Sequence, residues 1–173
     1  VLVSGCLAGC QRPESRPGTP GRTDDRIVLG AYGPMSGPAA AWGNSLRAWQ
    51  AYFARINEAG GIHGRRIELQ IRDDQYRPTK TEAAVRGLLD DGVFALVGGI
   101  GTANAHAVLP LLEERKVPIY SPASGDRALS VPPRPGLFTA VPRYDQEGAF
   151  LARYAQTKGH RRIAILQQGD AFG

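Results

Sequence analysis

Beyond residue 10 the chain has no cysteine: Cys6 and Cys10, its only two, both lie in the first ten of 173 residues. No disulfide can therefore brace the rest of the chain, and the fold must stand on its core. No apolar run is long enough to span a bilayer as a helix. Histidine is scarce, and His63, His106 and His160 are far apart with no neighbour at metal-ligand spacing. No Gly-x-Ser-x-Gly elbow occurs. The Gly-Lys-Ser/Thr tail of a phosphate loop and the spacing of a dinucleotide fingerprint are missing too. No catalytic constellation, metal or cofactor is expected. Twenty-one Lys and Arg against 16 Asp and Glu leave a formal charge of +5. These cations are scattered among acids rather than gathered on one face, which argues against nucleic acid as a partner.

What is present is ordinary globular material, 42% hydrophobic and 21% charged, enough for one core. Its amino end reads as the remnant of an export signal. Leu7-Ala8-Gly9-Cys10 matches a lipobox, an apolar residue and two small ones before a cysteine that takes a lipid. Val3-Ser4-Gly5-Cys6 is a second, poorer match, so Cys10 is the expected lipidation site and Cys6 the alternative. The anchor would be lipid alone, and the location the periplasm or cell surface. Residues 11–25, rich in Pro, Gly, Arg, Ser and Thr, read as a flexible tether that holds a domain off the membrane.

From residue 26 short apolar runs alternate with longer amphipathic stretches, the pattern of βα units on a parallel sheet with helices on both faces. Strands are expected at 27–32, 66–72, 95–98, 119–120, 137–141 and 162–166, and helices at 44–59, 78–90, 103–114 and 144–158. Gly60-Gly61 ends the first helix, and Pro78 opens the second at a position suited to proline. Apolar residues run almost to Gly173 with nothing to close the structure, so the chain is expected to continue beyond it.

Ligands of parallel sheets sit at the carboxyl ends of the strands, which directs attention to the loops there. After the first strand, residues 33–43 are small and rich in Gly and Pro and end on Trp42, either a wall for a ligand side chain or core under the first helix. Gly98-Gly99-Ile100-Gly101-Thr102 places a hydroxyl at a helix start, either an anion site or a simple N-cap. Ser121-Pro122-Ala123-Ser124-Gly125-Asp126 offers hydroxyls and backbone to a polar headgroup, or is only a turn. Asp73-Asp74 and Asp90-Asp91 read as solvated turns, and His106 as a solvated or core residue.

Several of these segments, in order, resemble the leucine/isoleucine/valine-binding protein family. They are Ile27-Val28-Leu29-Gly30-Ala31-Tyr32-Gly33-Pro34-Met35-Ser36-Gly37-Pro38, Asn57-Glu58-Ala59-Gly60-Gly61-Ile62-His63-Gly64-Arg65, Asp73-Asp74-Gln75 with Pro78, Val117-Pro118-Ile119-Tyr120-Ser121-Pro122-Ala123-Ser124, and Ile163-Ala164-Ile165-Leu166 with Ala171-Phe172-Gly173. The resemblance implies the type I periplasmic binding fold, two α/β lobes with doubly wound parallel sheets closing on a ligand. Residues 26–141 would form the first lobe, and 142–173 the truncated start of the second.

It also implies capture of an amino acid or related small polar molecule, such as an amide or aromatic acid, and delivery to the permease and ATPase of an ABC importer. A ligand sensor of the same fold is the alternative. Thr102 would bind the ligand carboxylate, Ala123, Ser124 and Gly125 the headgroup, and Trp42 and Phe172 the side chain. Gly125 stands where the family commonly has Thr, and Phe172 where it usually has Tyr.

Overall fold

The computed structural model describes residues 18–173, so Cys6 and Cys10 lie outside the described residues. Five parallel strands, β1 (Arg26–Gly33), β2 (Arg66–Asp73), β3 (Ala95–Val97), β4 (Ile119–Tyr120) and β5 (Leu137–Phe138), form one sheet in the order β2-β1-β3-β4-β5. Helices α1 (Asn44–Glu58), α2 (Pro78–Asp90), α3 (Thr102–Arg115) and α4 (Tyr144–Thr157) alternate with them. The chain direction reverses its course along the sheet after β2. β1 therefore lies inside the sheet between β2 and β3, and loops from β1, β3 and β4 gather at one end.

Period-two alternation along β1 divides its side chains between two packing layers. Val28 and Tyr32 join Val85, Leu88, Leu96, Val108 and Ile119 in the main core under α2 and α3. Ala31 faces the opposite side, where Leu46 of α1 and Ile100 cover it. Helix boundaries follow local chemistry. Pro78 occupies the first turn of α2, where its missing N–H costs nothing. The Gly61 N–H closes α1 onto the Ile56 carbonyl at 2.9 Å.

Three expectations are corrected. Residues 162–166 form no strand, and Ile163, Ile165 and Leu166 are exposed, because no neighbouring strand among the described residues offers them a hydrogen-bonding edge. β5 stops at Phe138 instead of residue 141, since 139–143 leave the sheet and lead into α4. Residues 21–25, within the stretch read by composition as tether, are hydrogen-bonded to the lobe. Val28 N–H donates to the Gly21 carbonyl at 2.7 Å, and Arg66 N–H to that of Asp25 at 2.8 Å.

Candidate functional site

At the carboxyl ends of the strands lies a cavity of about 360 Å3. Trp42 and Ser45 reach it from the segment after β1, Tyr76 from the β2–α2 loop, Ile100 and Gly101 from the β3–α3 loop, Ala123 from the loop after β4, and Phe172 from beyond α4. Two of these loops are joined directly, the Ala123 N–H donating to the Gly99 carbonyl at 2.7 Å. Trp42 and Tyr76 meet edge to face with centroids 5.0 Å apart. Phe172 stands at 5.4 Å and 90° to Tyr144, the first residue of α4.

Trp42, Ala123 and Phe172 thus come together around one space. The other three residues expected at the site lie behind it. Thr102 and Ser124 are buried and share a hydrogen bond, Oγ1 to Oγ, at 2.8 Å. Ser124 Oγ also accepts from the Asp126 N–H at 3.2 Å. Thr102 is not an N-cap: it is the first helical residue, Gly101 precedes it as the cap, and no side chain closes the amide end of α3. Gly125 is packed against the start of α4, and its carbonyl accepts from the Tyr144 N–H at 2.8 Å. A Cβ there would sit 2.3 Å from the Pro142 oxygen and 2.7 Å from the Tyr144 ring. The space a threonine side chain would need is already filled by Tyr144, which accounts for glycine at this position.

His106, read as a solvated or core residue, is partly buried with its Nε2 against Asp126 Oδ2. Burial pushes the Asp126 carboxyl up, but hydrogen bonds from His106 and the Ala128 N–H outweigh it and hold the group below its ordinary value. The pair ties α3 to the 121–126 loop one helical turn beyond Thr102.

The two neighbouring aspartates divide their work, contrary to the reading of both as solvated. Asp73 is exposed, and it accepts from Met35 N–H, the Ser36 N–H and hydroxyl, and Gln75 N–H, pinning the loop that leads to Trp42. The Ser36 hydroxyl chiefly, with the amides, draws its pKa down against a small opposing effect of burial. Asp74 is fully buried. It accepts from Thr81 Oγ1 at 2.8 Å, Asn104 Nδ2 at 3.1 Å and the Tyr76 N–H at 2.8 Å. Burial nonetheless raises its pKa. Residue type alone does not separate the two, because the partners of Asp74 come from positions 81 and 104 on different helices.

Ser45, Tyr76, Ile100 and Gly101 line the cavity without having been expected at the site, and Tyr76 is the aromatic among them. The available signal was an aromatic three residues past the acidic end of β2, on a loop at the carboxyl end of a strand. Burial raises its phenol pKa above the ordinary value. A second, larger hollow of about 900 Å3 lies at the other end of the sheet, between the end of α3 and β5, and contains none of the expected site residues.

An α/β lobe whose strand-end loops line a small, open and mostly apolar cavity is the class of a ligand-binding domain. Residues 26–173 match the family model described as periplasmic binding protein, and the chain belongs to that family. It is 27% identical over 149 residues to a Leu/Ile/Val-binding protein homolog of Brucella melitensis, covering 85% of this chain and 40% of that relative. Among solved structures it resembles a substrate-binding periplasmic protein from Ralstonia solanacearum, with 34% identity and a TM-score of 0.79 over 84% of this chain and 42% of that one. A branched-chain amino acid transporter substrate-binding protein from Streptococcus pneumoniae, in complex with isoleucine, gives 25% identity and a TM-score of 0.70 over 78% and 39%. The chain therefore spans about two fifths of the relatives it matches, and its fold is that of type I periplasmic binding proteins.

Proposed function

We propose that this chain is part of a periplasmic solute-binding protein that captures an amino acid or related small carboxylate between two lobes and delivers it to the permease and ATPase of an ABC importer. The observation that carries the reading is the convergence of Trp42, Ala123 and Phe172 on one cavity at the strand ends, with the amide end of α3 beside it. Residues 26–141 serve as the first lobe and 142–173 as the start of the second. Phe172, the second lobe's contribution, lines the same cavity as Trp42.

Binding proceeds by closure, with no bond broken. The unpaired amides at the start of α3 and the Thr102 hydroxyl receive the ligand carboxylate once the Thr102–Ser124 pair rearranges. Backbone at 123–125 holds the headgroup, and Trp42 and Phe172 enclose the side chain. Lipidation at Cys10, or alternatively Cys6, with a tether beginning at residue 11, would keep the protein at the membrane.

The test is a thermal-shift screen of the full-length protein against amino acids, amides and small carboxylates. A ligand that binds only the folded state raises Tm by mass action, and Thr102→Ala is expected to weaken that ligand by about 1–3 kcal/mol, the cost of a lost hydrogen bond to a buried charged group. No shift with any compound would overturn the binding role, and unchanged affinity in Thr102→Ala would remove Thr102 from the site.

A further inference from the structure

Two consecutive residues without a glycine among them, Gln75 and Tyr76, adopt left-handed backbone conformations, with φ of 53° and 60°. Such a conformation persists in L-residues only where surrounding structure imposes it, and strained residues cluster at ligand sites. Here the imposition is visible. The Gln75 N–H donates to Asp73 Oδ1 at 3.0 Å, and the Tyr76 N–H to Asp74 Oδ1 at 2.8 Å. Asp74 is locked by Thr81 and Asn104 from α2 and α3, within the core. Gly101 leaves room for the ring, since a Cβ there would lie 2.6 Å from Tyr76 Cε2. The Trp42 indole then buttresses the phenol edge to face. Backbone, buried carboxylate, glycine and indole together hold one ring in the cavity wall.

Resting on the solute-binding reading above, we infer that Tyr76 determines specificity, and that with Trp42 and Phe172 it selects a small carboxylate bearing an aromatic ring over one bearing a branched aliphatic chain. Three aromatic side chains line the space, with Ile100, Ala123 and Gly101 between them. Ring edges and faces are electrostatically complementary to another ring, whereas an aliphatic chain gains only burial. Polar competition from the wall is small. Of its hydroxyls, that of Ser45 already donates to the Trp42 carbonyl at 2.9 Å, and the phenol of Tyr76 faces the Gln168 side chain.

Titration calorimetry on the full-length protein with phenylalanine and 4-hydroxybenzoate, against leucine, isoleucine and valine, tests this. The expected result is at least tenfold tighter binding of an aromatic compound. Tyr76→Leu should reduce that preference about tenfold, and Tyr76→Phe should keep it, with the ligand-free melting temperature of each variant reporting whether the lobe is intact. Equal or tighter binding of the aliphatic amino acids by the wild type overturns the aromatic preference and leaves the solute-binding reading standing. Loss of affinity in Tyr76→Leu by the same factor for both classes removes Tyr76 from specificity. No binding of either class overturns the aromatic preference, and the solute-binding reading then stands or falls with the wider thermal-shift panel of amides and other carboxylates.

Discussion

Gly125 shows how one side chain excludes another across the site. With Tyr144 and the Pro142 carbonyl packed onto it, even a methyl group would have to displace backbone. Gly125→Ala is therefore expected to destabilise the folded chain by about 1–3 kcal/mol, the usual range for overpacking, measured as a fall in the midpoint of urea unfolding. An unchanged midpoint would mean that the 142–144 segment moves aside freely. Asp73 and Asp74 make the same point in electrostatic terms. One exposed carboxylate gathers amides and a hydroxyl and is held below its ordinary pKa. The next, buried, is pushed above it in spite of three donors.

The element that organises the site is the amide end of α3, fastened to the 121–126 loop by Thr102–Ser124 and His106–Asp126. A carboxyl whose folded-state pKa is depressed stabilises the fold above its unfolded pKa, near 3.8 for Asp126, and that contribution disappears as pH falls through the lowered value. Asp126→Asn should therefore lower Tm at neutral pH, and the gap from wild type should narrow as pH drops below about 4. Melting curves across pH measure this, and a constant gap would show that ionisation of Asp126 contributes nothing. The helices α2 and α3 were legible in the sequence to within a residue or so, because apolar spacing, Pro78 and the Gly-rich approach to Thr102 are local signals. The extended run at 162–166 carried an equally clear local signal yet formed no strand. Strand pairing is a property of the neighbour, not of the segment.

Across the molecule, the well-packed part is the sheet from β2 to β4 with α2 and α3. α4 has no buried residue, and Phe150, Leu151 and Tyr154 on it remain exposed. In this 173-residue chain, hydrogen exchange should protect the amides of β1 and β3 strongly and those of 160–166 hardly at all. Comparable protection in both regions would contradict the packing described.

The sequence by itself determined the βα alternation, the parallel sheet and the loops where a ligand would sit, since each follows from periodicity and punctuation within a dozen residues. It also marked Trp42, Thr102, 123–125 and Phe172 through resemblance to a family. Only the tertiary structure decided that Thr102 and Ser124 face each other, that Gly125 yields its space to Tyr144, and that Tyr76 stands in the cavity wall beside Trp42. Those outcomes depend on contacts between residues distant in sequence, and a buried carboxylate bonded to positions 81 and 104 leaves no local trace of what it holds in place.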